Sequence, residues 1–374
     1  MKIKDFGVEI WMNLYENDCL YNLAETCVSS LTVNEVLDLS GEKEKVLHEI
    51  QHMKLTYGDI EGSVRLRKGI ANLYEKQEIE NISVLHGAIG ANALTLMTLV
   101  DRGDQVVSVL PTYQQLYSIP ESIGADVRIL KLREENQFLP DLSELRNLVT
   151  EDTKLICINN PNNPTGALMD EAMLKKIVEI AREADAYILC DEVYRGLNHE
   201  GDSYSPSIAD MYEKGISTGS MSKTYSMAGI RLGWACGPAD FVSRLSKQRD
   251  YHVISCGMID DKLATIALEN KDKIIQRNLQ IVRNNAKKLD QWVQNEPLIS
   301  YVKPKGGTTA FLKYNLEMPS ETLCKKLQKE KGVMLLPGAA MGMEGYLRIG
   351  FANESTIIEK GLSGFSDFLE EMQR

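Results

Sequence analysis

Apolar residues in the middle of the chain fall into short runs, separated by stretches whose apolar positions recur every three to four residues. Residues 105–110 (QVVSVL), 126–132 (DVRILKL), 154–159 (KLICIN), 186–190 (AYILC) and 215–219 (GISTG) have the length and composition of strands. Between the third and fourth, residues 171–184 place Met173, Leu174, Ile177, Val178 and Ala181 on one helical face. Strand–helix–strand units of about thirty residues are the size of parallel crossovers. The pattern therefore predicts an α/β fold with a mainly parallel central sheet and flanking helices.

Beyond Asp260 the periodicity changes. Ile275, Leu279, Val282, Ala286, Leu289 and Val293 mark one long amphipathic helix. Short strands follow at 308–314 and 346–351, then a closing helix at 355–372. This predicts a smaller α+β domain, discontinuous in sequence, from residues 1–45 and 281–374, beside a large domain at 46–280. A chain of 374 residues exceeds what one ordinary core holds, in line with that division.

Composition narrows the class. Apolar residues make up 43% and charged residues 25%, enough burial capacity to exclude wholesale disorder. The net charge of −11, without a basic tract, argues against nucleic acid or an anionic membrane as partner. The longest apolar stretch, 87–100, contains Asn92 and is too short to span a bilayer. Early acids at Asp5 and Glu9 interrupt any signal-peptide core. The seven cysteines form no CxxC pair, so free thiols in a cytoplasmic protein are expected.

Chemistry concentrates where the strands end, the place where open α/β sheets bind ligands. One predicted strand runs into Asn160-Pro161-Asn162-Asn163-Pro164-Thr165-Gly166. The next delivers Asp191 and, three residues on, Tyr194; the third leads to Ser220-Met221-Ser222-Lys223, with Arg231 eight residues later. Taken singly, these fragments read as a turn, a helix cap and solvated surface. Their succession at consecutive strand ends is not what independent turns and caps produce. A lysine can form a Schiff base with an aldehyde. A carboxylate can keep a pyridine nitrogen protonated, an amide and a phenol can bind a ring oxygen, and Ser with Arg can grip a phosphate. Pyridoxal 5′-phosphate (PLP) carries all of these groups.

From Tyr57 onward the chain resembles the fold type I PLP enzymes of the class I/II aminotransferase family, whose lysine signature is similar to SMSKTYSMAGIRLGW here. The resemblance implies that Lys223 forms the Schiff base and that Asp191 meets the pyridine nitrogen. It implies Tyr194 and Asn163 at the ring oxygen, and Ser220 with Arg231 at the phosphate. Pro111-Thr112-Tyr113 resembles the turn whose aromatic ring stacks on the cofactor. His86-Gly87-Ala88-Ile89-Gly90 precedes a helix-like run, so backbone N–H groups at Ala88 and Ile89 are placed for phosphate; Ile89 departs from the family's usual polar residue. Tyr57, with Gly62 five residues later, matches a segment that reaches the neighbouring subunit's phosphate, which implies a homodimer. Arg348, on the polar face of the predicted strand 346–351, resembles the clamp for a substrate α-carboxylate, with Asn163 beside it. An ordinary edge-strand cation is the other reading. The implied reaction moves an amino group between an α-amino acid and a 2-oxo acid.

Two alternatives remain at this level. Residues 11–37 match typical aspartate aminotransferases poorly and are faintly similar to capreomycidine-synthase-like members, so elimination, replacement or cyclisation stays open. His48-Glu49-Ile50-Gln51-His52 satisfies the HExxH pattern of a zinc hydrolase, a distant alternative without a third histidine nearby.

Overall fold

The structure is a computed structural model that describes residues 2–373. A seven-stranded sheet has the order Ile82–Leu85, Gly233–Cys236, Gly215–Ser220, Tyr187–Asp191, Thr153–Asn159, Gln105–Leu110, Asp126–Lys131. Only Gly233–Cys236 runs against its neighbours; the other pairings are parallel. All five strands predicted from the apolar runs are present. Ile82–Leu85 and Gly233–Cys236 escape the pattern, being four residues each with too little alternation to stand out.

Both faces of the sheet are covered, which is why its strands are apolar throughout rather than alternating. Along Thr153–Asn159, Leu155 and Cys157 pack with Leu94, Leu116 and Phe241 on one side. Ile156 and Ile158 pack with Leu145, Leu174 and Ile177 on the other. Helix Glu171–Glu183 is one of these cover helices; Asp170 caps it by accepting from the Met173 N–H at 2.8 Å.

A second sheet of four antiparallel strands has the order Leu336–Pro337, Tyr346–Gly350, Thr309–Tyr314, Ile299–Tyr301. Its core includes Leu289 and Val293 of the long helix Lys271–Asn295, Phe365 and Phe368 of the closing helix Ser355–Gln373, and Val8 and Trp11 of the N-terminal helix Gly7–Tyr15. The N-terminal segment is tied in further by parallel pairing of Tyr21–Asn22 with Val333–Met334. Helix Val33–Leu39 packs elsewhere, its Val36 and Leu37 sharing a core with Leu66, Ile70 and Leu263 beside the large sheet. Position 280 lies inside the long helix Lys271–Asn295, which runs continuously past it.

Strand Tyr346–Gly350 lies inside the small sheet, flanked by Thr309–Tyr314 and Leu336–Pro337. Arg348 is therefore no edge cation, and its polar face is not solvated: the residue is only 3% exposed. The large sheet closes over that face, so alternation alone could not tell solvent from an interior polar cavity.

The HExxH segment forms the helix Lys43–Gln51 with His52 at its end. The two imidazoles stack on each other at 4.1 Å between centroids, and Glu49 accepts from Lys262 Nζ at 2.5 Å. Among the described residues, no group of three or more His, Cys, Asp or Glu side chains is arranged to hold a metal.

Candidate active site

At the carboxyl ends of the parallel strands, a cavity of about 270 Å³ opens between the two sheets. It spans the ends of Thr153–Asn159, Tyr187–Asp191 and Gly215–Ser220, beside the point between Gln105–Leu110 and Thr153–Asn159 where the chain order reverses, the region expected for ligands in such sheets. Ala88, Ile89, Tyr113, Asn163, Asp191, Tyr194, Ser220, Lys223, Arg231 and Arg348 all border it. Of the residues assigned from sequence to the cofactor or substrate, only Tyr57 is elsewhere. It is 72% exposed and lines a separate surface cavity with Met258 and Asp261.

Asp191 ends its strand and is 3% exposed. Its Oδ2 accepts from Asn92 Nδ2 at 2.8 Å and its Oδ1 from the Val193 N–H at 3.1 Å. The Thr218 hydroxyl donates to Asn92 Oδ1 at 2.6 Å and fixes that amide's orientation. Burial pushes the Asp191 carboxyl above its ordinary range, while the donors and the Lys223 charge pull the other way. The neighbouring strand supplies Asn159, whose Nδ2 donates to the Asp191 carbonyl at 2.8 Å. Its Oδ1 accepts from the Asn163 N–H at 2.6 Å, so the Asn-Pro-rich loop is pinned to the same strand ends.

Arg348 reaches across from the small sheet. Its Nη1 donates to Asn163 Oδ1 at 3.2 Å and its Nη2 to the Ala24 carbonyl at 2.9 Å, while its buried Nε is without a partner. Burial lowers its pKa; Tyr194, Glu25 and Glu9 oppose that. The Ala24 contact depends on Gly350, where the strand's N–H donates to the Leu23 carbonyl at 2.7 Å. A Cβ on Gly350 would overlap the Glu25 carbonyl oxygen. Gly350→Ala is therefore expected to destabilise the protein by about 1–3 kcal/mol, read as a lower Tm, because residues 23–27 must shift. An unchanged Tm would mean the segment yields freely.

Lys223 lies three residues beyond its strand. Its Nζ donates to Thr26 Oγ1 at 2.7 Å, meets Cys27 Sγ at 3.2 Å, and stands 3.7 Å from Glu25 Oε1. Burial disfavours the ammonium, but Cys27, Tyr194 and Glu25 outweigh it and hold the amine above its ordinary range. Cys27 and Tyr194 are themselves pushed up by burial and are uncharged at neutral pH, so Glu25 is the charge that acts there.

An anion pocket occupies the other end of the cavity. Helix Gly87–Leu99 starts there with Gly87 in the left-handed region, φ +66°. A Cβ on Gly87 would come within 3.1 Å of Arg231 Nη2, so the guanidinium lies directly over the helix start. Free N–H groups at a helix N-terminus, a guanidinium and the buried Ser220 hydroxyl converge. Ile89 has its carbonyl engaged by Gln115 Nε2 at 3.0 Å. Tyr113 donates from its hydroxyl to Glu9 Oε1 at 2.9 Å, which fixes its ring at the cavity wall.

Sequence reasoning missed Asn92 and Glu9 as lining residues, and gave Glu16, Glu25, Thr26 and Cys27, within a segment similar to one that lines the substrate entrance, no individual roles. Asn92 carried a signal, an amide inside the most apolar run of the chain. The others come from the N-terminal segment, which reaches the cavity through contacts with residues more than three hundred positions away.

A primary amine, a buried carboxylate, an anion pocket and a second guanidinium facing one cavity define an α/β enzyme built for an anionic aldehyde cofactor and a carboxylate substrate. The family model described as "Aminotransferase class I and II" matches residues 9–358. The chain belongs to this family, and it is a PLP-dependent aminotransferase of fold type I. A PLP-dependent aminotransferase from Streptococcus suis 89-1591 superposes with TM-score 0.97 at 46% identity, covering 100% of both chains. Capreomycidine synthase of Streptomyces vinaceus is 31% identical over 86% of this chain and 82% of that protein. Aspartate aminotransferase of Pyrococcus horikoshii is 30% identical over 83% of this chain and 82% of its own length.

Proposed function

We propose that this chain binds PLP in the cavity between its sheets and uses it to move an amino group between an α-amino acid and a 2-oxo acid. The observation that carries the reading is the convergence of Lys223, Asp191 and Arg348, from three different strands or strand ends, on one cavity. The residues present fit the cofactor. Asp191 would meet its ring nitrogen, Tyr194 and Asn163 its ring oxygen, and Tyr113 its face. Ser220, Arg231 and the N–H groups at Ala88 and Ile89 would hold its phosphate. When bound, PLP supplies an aldehyde and an electron sink for charge developing at the substrate's α-carbon.

Everything else falls to the chain. Arg348, with one guanidinium edge tied to Asn163 and Ala24 and its Nε free, binds the α-carboxylate and fixes which bond at the α-carbon faces Lys223. Lys223, once its amine is neutral and free, takes the proton from that carbon. Asp191 would face the cofactor's ring nitrogen as a carboxylate, its charge favoured by the Asn92 and Val193 donors against the cost of burial.

Tyr57 belongs to the same reading through a homodimer, in which it would reach the partner's phosphate. Leu55, Tyr57, Ile60 and Val64 form an exposed apolar run, and Ile254 and Ile259 add to the apolar surface. A division into 46–280 and 1–45 with 281–374, apart from helix Val33–Leu39, which packs beside the large sheet, and residence in the cytoplasm complete the proposal; among the described residues no helix is long and apolar enough to cross a membrane.

The test is a pair of half-reactions. An α-amino acid should bleach the visible band of the PLP-loaded protein, and a 2-oxo acid should restore it, in a species whose sedimentation mass is twice that of one chain. Release of ammonia without restoration by an oxo acid would favour elimination, and a cyclic or substituted amino-acid product would favour the chemistry named for the Streptomyces vinaceus relative.

A further inference from the structure

We propose that the amino acid handled here carries a cationic side chain, an amine or guanidinium, and that Glu25 recognises it. The proposal rests on the reading of the cavity as an aminotransferase site and names its substrate class.

The three cations at the cavity are spoken for in that reading: Lys223 by the cofactor, Arg231 by the anion pocket, Arg348 by the α-carboxylate. Among the described residues lining the cavity no further Lys or Arg remains for a side-chain carboxylate. Besides Asp191, which the cofactor takes in that reading, three carboxylates line it: Glu9, Glu16 and Glu25. A dicarboxylic substrate would set its second charge among three like charges, whereas a cationic side chain meets complementary ones.

Glu25 is the best placed of the three. Its Oε1 accepts from the N–H groups of both Thr26 and Cys27 at 2.7 Å, so the carboxylate is held in one orientation without using Oε2. Its cationic neighbour is Lys223, at 3.7 Å. Burial works against the charge, yet Lys223 and the two N–H donors bring the Glu25 carboxyl down to about 2. Once Lys223 is committed to the cofactor, the half-buried carboxylate loses that ammonium and a substrate cation takes its place. Arg348 supplies an independent pointer to the ligand's other end. It is fully enclosed, borders the same cavity, and carries an unpartnered Nε–H. One end of the cavity thus selects a carboxylate and the adjacent wall selects a cation, the charge pattern of a basic amino acid. Glu9, bonded to Tyr113, and the exposed Glu16 extend the negative wall toward the mouth.

The experiment titrates PLP-loaded wild type and Glu25→Gln with ornithine, lysine, arginine, norleucine and glutamate, reading apparent dissociation constants from the visible band. The substituted amide keeps an oxygen for the Thr26 and Cys27 N–H groups, so the segment keeps its shape. At least one basic amino acid should bind wild type about tenfold or more tighter than norleucine, with glutamate weakest. That ratio should fall toward one in Glu25→Gln and fall less in Glu16→Gln, which changes only an exposed side chain. Preference for glutamate, equal binding of all five, or an unchanged ratio in Glu25→Gln would overturn the proposal. Failure of the wild type to form a visible band at all, or its persistence in Lys223→Ala, would instead overturn the underlying site reading.

Discussion

Lys223→Ala is expected to abolish the visible absorbance of the PLP-loaded protein and to lower turnover by about 10⁴-fold. On the proposed reading two losses combine: the amine that would bind the aldehyde, and the base that would move the α-proton, a role worth about 10²–10⁴-fold by itself. The fold should survive, because the side chain is partly solvent-exposed and its hydrogen-bonding partners, Thr26 and Cys27, lie on a segment held by backbone bonds to the small sheet. Circular dichroism and Tm check the fold, and an absorbance scan checks the chemistry. A retained band would mean that another group binds the aldehyde. Methylamine added to the variant offers a small free base to fill the vacated space and should restore part of the rate, an effect that a purely structural role for Lys223 would not give.

Asp191→Asn should lower kcat/KM by about 10²–10³-fold, the cost typical of removing one preorganised electrostatic partner in a buried site. Asparagine is almost isosteric and can still accept from the Val193 N–H, but its NH2 then faces the Asn92 Nδ2 donor, so a modest fall in Tm should accompany the loss. What disappears, on the proposed reading, is the negative charge that would face a protonated ring nitrogen. Asn92 and Thr218 make this charge fixed rather than adaptable, since the amide donates to Asp191 and is itself oriented by the hydroxyl. The loss should appear in kcat far more than in KM, because the charge acts on the reacting state and touches no part of the amino acid. A variant with unaltered kcat would place Asp191 outside the cofactor's reach.

Legibility from sequence follows the range of the interactions involved. The strands of the large sheet are readable because burial on both faces leaves continuous apolar runs, and helix Glu171–Glu183 because one-sided burial leaves a stripe. Lys223, Asp191 and Asn163 are readable because each ends or closely follows a strand, so local chain order carries them to one edge. Asn92 is hidden as an interruption in an apolar run; only the packing of its helix against the sheet turns it toward Asp191. Short strands such as Ile82–Leu85 have too few residues to show a period.

The amino-acid sequence by itself determined the α/β class, the order of the strands that carry the chemistry and, through the resemblance of its lysine segment, the cofactor family. Those features are encoded in residues close together along the chain. Tertiary structure decided the rest: that Arg348 faces an enclosed cavity rather than solvent, that Tyr57 stands apart from its own chain's cavity, and that Glu25, Thr26 and Cys27 meet Lys223 nearly two hundred residues away. No periodicity reports such contacts, because the close approach of Gly350 to the Glu25 backbone exists only once both sheets have formed.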